Sequence, residues 1–197
     1  MHLRGFNGGA AAGMSGMAPR PAKTIALVGL MGVGKTSIGR RLAQRLGLPF
    51  VDADAEIEAA AQSSIEDIFE RHGEAAFREG ERRVIARLLE NPPQVLATGG
   101  GAFMDPSTRT LLRARAVTVW LRADLELMLA RVQRRNNRPL LKGADPRAVL
   151  EGLISVRYPV YAEADLTVDS LDGPPELTVE RVLAALVAEG ACAARTP

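Results

Sequence analysis

The sequence predicts a single α/β domain of about five parallel strands, covered by helices on both faces. Three observations carry that prediction. The strand-like runs are short and apolar throughout, as doubly covered parallel strands are, instead of alternating in polarity. Helical stripes of period 3.6 separate them. A glycine-rich turn joins the first such run to the first helix. With 197 residues, 47% of them hydrophobic and 24% charged, the chain is long enough to bury one substantial core.

Residues 1–21 are rich in Gly, Ala and Met, show no apolar period and lack the h-region of a secretory signal. They read as a disordered extension, with Met14 and Met17 as candidate starts, ahead of a domain over 22–190 and a flexible tail at 191–197. Thr24–Val28 is the first strand. Lys35–Leu46 carries Ile38, Leu42 and Leu46 on one stripe, and Gly47 closes it. Pro49–Asp52 is the second strand, and Ala53–Ala61 is helical. Ile65–Arg71 is a short helix, with Ser63 or Ser64 as N-cap and Glu66 or Asp67 at capping-box distance. Glu74–Glu90 is a longer helix with Phe77, Val84, Ile85, Leu88 and Leu89 on its apolar side. Gln94–Ala97 is the third strand and ends at three consecutive glycines. Thr108–Ala114 is helical and Val117–Leu121 is the fourth strand. Leu125–Arg134 and Arg147–Val156 are helices separated by a basic loop, the second stopping short of Pro159. Leu166–Val168 is the fifth strand and Leu177–Ala188 the last helix.

Composition excludes several classes. No run of about 18 uncharged apolar residues appears, so no membrane span or membrane partner is expected, and the chain reads as cytoplasmic. Cys192 is the only cysteine, and His2 and His72 are the only histidines, which leaves no disulfide framework and no common zinc site. A net charge of +2, from 25 basic and 23 acidic residues, gives no sign of a nucleic-acid partner.

The most specific motif is Gly29-Leu30-Met31-Gly32-Val33-Gly34-Lys35-Thr36, a complete G-x-x-x-x-G-K-[ST] between an apolar strand and an amphipathic helix. Gly29, Gly32 and Gly34 permit positive φ and let backbone N–H groups approach a polyphosphate. The helix that follows points its N-terminal dipole at the anion. Lys35 supplies a point charge for the β- and γ-phosphates, and Thr36 a hydroxyl for Mg²⁺. Gly32, Val33, Gly34, Lys35, Thr36 and Ser37 are the candidate ATP-binding residues here. The motif defines a three-layer P-loop NTPase fold. It carries no N-K-x-D guanine signature and no L-S-G-G-Q, which leaves a small phosphotransferase as the simplest class.

Other candidates cluster where strands end, beyond which ligands bind in parallel sheets. Asp52 and Asp54 end the second strand, one placed for the metal's water shell and the other for an acceptor hydroxyl; aspartate there is equally a helix N-cap. Gly99, Gly100 and Gly101 expose bare backbone after the third strand, which is also the pattern of a simple turn. Arg78 either pairs with Glu74 and Glu81 on the surface or clamps a substrate carboxylate. Residues 131–147 hold Arg131, Arg134, Arg135, Arg138, Lys142 and Arg147 against Asp145 alone, with Pro139, Gly143 and Pro146 as helix breakers. That composition fits a mobile lid over phosphates, and equally a solvated basic loop. Arg157 is a second anion contact or a charge at a helix C-terminus.

Together these segments resemble shikimate kinases from about Thr24 to Ala188. In the family's order stand the G-L-M-G-x-G-K-[ST] loop, Asp-x-Asp, Phe-Arg-x-x-Glu, T-G-G-G, the Arg-Pro-Leu-Leu lid and R-x-P-x-Y. The resemblance implies ATP-dependent phosphorylation of the 3-hydroxyl of shikimate, within aromatic amino acid (chorismate) biosynthesis, by a monomer using Mg²⁺. By the same resemblance, Lys35 and the glycine loop cradle the ATP phosphates, Thr36 is the Mg²⁺ ligand and Asp52 acts on that ion through water. Asp54 is the catalytic aspartate that holds the ring hydroxyls and orients or deprotonates the 3-hydroxyl, and Arg78 and Arg157 grip the shikimate carboxylate. Gly99, Gly100 and Gly101 wall that pocket, Arg138 reaches the transferring phosphate, and Arg131 stacks on adenine. One departure is visible: the loop Ser170–Pro175 carries prolines but not the arginine frequent there in the family. A kinase for another polyol acid, such as gluconate, is one alternative, separated by a substrate panel, and a nucleotide-binding protein without turnover is the other, decided by a phosphate-release or coupled ADP assay with ATP, Mg²⁺ and shikimate.

Overall fold

A computed structural model describes residues 21–133 and 145–192. Its sheet has five parallel strands: β1 (Thr24–Val28), β2 (Phe50–Asp52), β3 (Val95–Ala97), β4 (Ala116–Arg122) and β5 (Leu166–Asp169), in the order β2-β3-β1-β4-β5. β1 is central and buried at every position, which is why its sequence, TIALV, shows no alternation. Its register sets Ile25 beside Val95 on one flank and Val117 on the other.

Seven α-helices alternate with the strands among the described residues: α1 (Lys35–Leu46), α2 (Ala53–Ala61), α3 (Ile65–Leu88), α4 (Pro106–Arg115), α5 (Leu125–Gln133), α6 (Pro146–Tyr161) and α7 (Pro175–Ala188). Right-handed crossovers send α1 to one face and α3, α4 and α6 to the other. α7 returns to pack on α1, where Arg41 pairs with Glu176 and Arg45 with Glu180. None of the described helices is long and apolar enough to cross a membrane.

The element boundaries follow from local chemistry. Gly47 ends α1 in the left-handed conformation, its N–H bonded to the Ala43 and Gln44 carbonyls. Ser64 caps α3, accepting from the Asp67 N–H and donating its hydroxyl to the Asp67 carboxylate. The helices expected at 65–71 and 74–90 are both present within α3, divided at Gly73, whose φ of 77° and ψ of 174° leave the helical region. One expectation is corrected. α6 does not stop before Pro159 but continues to Tyr161. Proline there forfeits only the N–H bond to the Ser155 carbonyl, and Ser155, Val156 and Pro159 all lie on the exposed side, where water replaces that donor.

Candidate active site

β1, β2 and β3 all run out at the same edge of the sheet, and their carboxyl-end loops meet there. β1 delivers the glycine loop 29–36. Gly34 is the N-cap of α1 at φ 96°, and this places the first turn of the helix, Lys35 to Ser37, directly behind the loop. The Lys35 ammonium donates to the Gly29 carbonyl at 2.7 Å and the Leu30 carbonyl at 3.0 Å, so the cation sits over the loop's own backbone. Ser37 is tied to the helix by Arg41, whose Nη1 donates to its carbonyl and its Oγ.

The loop is held from its flank. Arg131, on α5, donates to the Gly32 and Val33 carbonyls, to the Ser170 hydroxyl at 2.8 Å and to the Leu171 carbonyl. Ser170 in turn donates to the Val33 carbonyl at 2.9 Å. The arginine expected at the adenine therefore bridges the glycine loop and the loop after β5. Beside it, Tyr158, Asp169, Leu171 and Gly173 help line a hollow of about 720 Å³.

Asp52 ends β2 and acts as the N-cap weighed for it, with its second oxygen turned to the phosphate loop. Its Oδ1 caps α2 by accepting from the Asp54 N–H, while its Oδ2 accepts from Thr36 Oγ1 at 2.9 Å. A hydroxyl and a carboxylate held this close are hard oxygen donors of the kind Mg²⁺ takes, and an ion completed by water and phosphate needs few protein ligands. The donor set at Thr36 and Asp52 thus fits the metal expected there.

The third loop brings together the residues expected on the acceptor side. A methyl group on Gly99 would lie 2.7 Å from Asp54 Oδ1 and 2.8 Å from Glu81 Oε1. One on Gly101 would lie 2.4 Å from both terminal nitrogens of Arg78. One on Gly100 would lie 3.6 Å from Arg157 Nη1, 3.7 Å from the Gly29 carbonyl oxygen and 3.8 Å from the Met31 nitrogen. Residues 54, 78, 99–101 and 157 therefore meet, and they meet against the start of the phosphate loop. The triplet has no side chains because charged groups pack directly on its backbone.

Arg78 lies 5.0 Å over the Phe77 ring, donates to Glu81 Oε2 at 2.6 Å and to Glu74 Oε1 through Nε and Nη2. The pairings weighed for it exist, but Glu81 is not on the surface: it is 1% exposed. Burial weighs most against the charge on Arg78, but the hydrogen bonds and charges of Glu81 and Glu74 together outweigh it, holding the guanidinium above its ordinary pKa. Burial also pushes the Glu81 carboxyl up, against the pull of Arg78 and with the nearby Asp54 and Asp105 adding to the rise. Its Oε1 has no hydrogen-bond partner among the described residues. Arg157, on α6, donates to the Gly100 carbonyl at 3.0 Å, and the Tyr161 hydroxyl donates to the same oxygen.

Sequence reasoning missed Glu81 as a buried group and gave Tyr161 no role. Both were legible as spacings, Arg78 to Glu81 at i+3 and Arg157 to Tyr161 at i+4, once each pair is known to share a helix. Arg138, with the rest of the expected lid at 134–144, lies outside the described residues.

A phosphate loop abutting a triglycine turn on which two arginines pack defines the class: a P-loop phosphotransferase for a small acidic acceptor. The family profile described as Shikimate kinase matches residues 31–187. The shikimate kinase of Paramagnetospirillum magneticum is 63% identical over 168 residues, covering 85% of this chain and 86% of its own. That of Caulobacter vibrioides is 61% identical over 170 residues, covering 86% and 85%. The structure of a shikimate kinase from Acinetobacter baumannii in complex with shikimate aligns with a TM-score of 0.81 at 39% identity, over 85% of this chain and 94% of that one. The chain belongs to the shikimate kinase family, and its activity is that of a shikimate kinase, in aromatic amino acid biosynthesis. A gluconokinase from Sinorhizobium meliloti, 19% identical with a TM-score of 0.57 over 86% of this chain and 94% of its own, shares the fold.

Proposed function

We propose that the two halves of this edge divide the shikimate kinase reaction between them. The glycine loop, residues 32–37, takes the ATP phosphates on its backbone N–H groups, and Lys35 leaves the Gly29 and Leu30 carbonyls to pair with the β- and γ-phosphates. Thr36 and, through water, Asp52 hold Mg²⁺, which neutralises charge on the transferring group. Arg131 and the 170–173 loop border the adenine.

Arg78 and Arg157 bind the shikimate carboxylate against the wall of Gly99, Gly100 and Gly101. This grip is remote from the chemistry and sets the 3-hydroxyl in line with the γ-phosphorus. Asp54 accepts the hydroxyl's hydrogen bond and then its proton, as the new O–P bond forms and the bond to the ADP oxygen breaks. Arg138 balances charge on the transferring phosphoryl group.

The observation that carries this reading is Gly100, where a single added methyl group would touch Arg157 Nη1, the Gly29 carbonyl oxygen and the Met31 nitrogen together. A coupled ADP assay with ATP, Mg²⁺ and a panel of shikimate, quinate and gluconate tests it on wild type and Arg157→Ala. Shikimate is preferred, and the variant's shikimate KM rises while its ATP KM stays. An Arg157→Ala enzyme with wild-type shikimate KM overturns the pocket assignment.

A further inference from the structure

We propose that Tyr161 is a positioning residue for the acceptor: its hydroxyl fixes the Gly100 turn against Arg157 and so sets where the acceptor's carboxylate is held. The inference rests on the acceptor pocket proposed above. It begins with the course of α6, which continues past Pro159. Arg157 and Tyr161 therefore stand four residues apart on one face of one helix. Both donate to the same carbonyl oxygen, that of Gly100, whose two lone pairs accommodate two donors.

The two donors differ in what else they can reach. Arg157 is half-buried at the Gly100 turn and keeps some exposed surface, whereas Tyr161 is 0% exposed and so acts only through its neighbours. Its ring is caged by Phe103, Trp120 and Tyr158, at centroid distances of 6.4, 6.0 and 6.5 Å. A caged ring leaves the hydroxyl one direction, and a carbonyl so placed is held to the geometry of the cage. Burial pushes the hydroxyl up to about 12, against the pull of Arg157, so it remains a neutral donor throughout the working range. Without that donor, Gly100 is left to Arg157 alone, and the guanidinium then divides its hydrogen bonding between the turn and the acceptor.

Tyr161→Phe keeps the ring and removes only the donor. The expected result is a shikimate KM raised about three- to tenfold, the scale of one net hydrogen bond. ATP KM stays within about twofold, and kcat/KM for shikimate falls in proportion. Arg157→Ala and the double variant complete the cycle. Because Tyr161 acts through Arg157 and the turn it braces, the double variant's shikimate KM is close to that of Arg157→Ala alone. Three results overturn the inference: a wild-type shikimate KM in Tyr161→Phe beside a raised one in Arg157→Ala, equal rises in both substrates' KM, or effects that simply add in the double variant. An unmoved shikimate KM in Arg157→Ala is a different failure, since it removes the pocket itself and the inference with it. Thermal melts on each variant keep a loss of fold from being read as a loss of position.

Discussion

The phosphate half and the acceptor half of the site meet within a few ångströms, yet they are built in opposite ways. The phosphate half is continuous: residues 29–36 lie between β1 and α1, and the backbone itself is the binding surface. The proposed acceptor half is assembled from α2, α3, the turn after β3 and α6, and the groups proposed to bind there are side chains braced by other side chains. Arg78 is held by Glu74 and Glu81, and Arg157 by the Gly100 carbonyl that Tyr161 also holds. A backbone site is specified by where the chain goes, whereas a side-chain site is specified by partners. Damage to the first therefore shows in the fold or in all turnover, and damage to the second shows in one substrate's KM.

The largest effect is expected at the one side-chain charge of the continuous half. Lys35→Ala removes the cation placed for the β- and γ-phosphates, and kcat falls on the order of a hundred- to a thousandfold or more, with the melt unchanged. Substantial residual turnover would show that the backbone N–H groups suffice and would weaken the contrast. Next is Arg78→Ala. Truncating one partner of a charge pair costs about 2–5 kcal/mol, so shikimate KM rises by roughly thirtyfold or more while ATP KM is unmoved. An unchanged shikimate KM would return Arg78 to a purely structural pairing with its two glutamates.

The contrast sharpens when the same substitution is made in each half. Alanine at Gly29 meets the Leu121 carbonyl oxygen at 2.5 Å, at a φ of 137° that an L-residue rarely adopts. Both the strain and the collision are with backbone, so Gly29→Ala is destabilising by about 1–3 kcal/mol and lowers the melting temperature by several degrees. The nearest atoms that alanine at Gly101 meets are those at the end of Arg78, at 2.4 Å, from a φ of −96° that any residue accepts. The flexible side chain moves and the fold is spared. Gly101→Ala is thus expected to leave the melt within about a degree or two and to raise shikimate KM about tenfold, because the displaced guanidinium no longer faces the proposed pocket. Parallel melts and KM determinations decide it, and a destabilised Gly101→Ala with normal KM would erase the distinction.

The same difference governs what could be read from sequence. The phosphate loop, its strand and its helix were legible in full, since the G-x-x-x-x-G-K-T run names each position and local propensity fixes the flanks. The bounds of α2 and the kink near Gly73 were also legible, because Asp52, Ser64 and Gly73 act on their immediate neighbours. Strand order was not, since it depends on which crossovers share a face. Pro159 hid the last turn of α6: the proline rule assumes that the freed carbonyl is costly, and at exposed Ser155 it is not. Losing that turn hid the i, i+4 relation of Arg157 to Tyr161. The burial of Glu81 was hidden because a charged residue one turn from an arginine is ordinarily a surface pair, and only the docking of α3 against the triglycine turn covers this one.

Glu81 provides the smallest effect and the most exacting test of the braced half. Its carboxyl is pushed up by burial despite the bond from Arg78, and its second oxygen has no hydrogen-bond partner among the described residues. An acid whose folded pKa lies above its unfolded value binds more protons folded than unfolded between the two. Its contribution is therefore present below the ordinary glutamate value of about 4.3 and is lost as pH rises through the folded value. Glu81→Gln keeps the shape and an acceptor for Arg78 while removing that titration. Urea midpoints measured at intervals from weakly acid to neutral pH are expected to fall with rising pH more steeply in wild type than in Glu81→Gln, with shikimate KM only modestly raised in the variant. Parallel curves for the two proteins would mean that Glu81 stays ionised throughout, held by Arg78 strongly enough to offset its burial. The acceptor half would then be braced by a full ion pair instead of a carboxyl whose charge depends on pH.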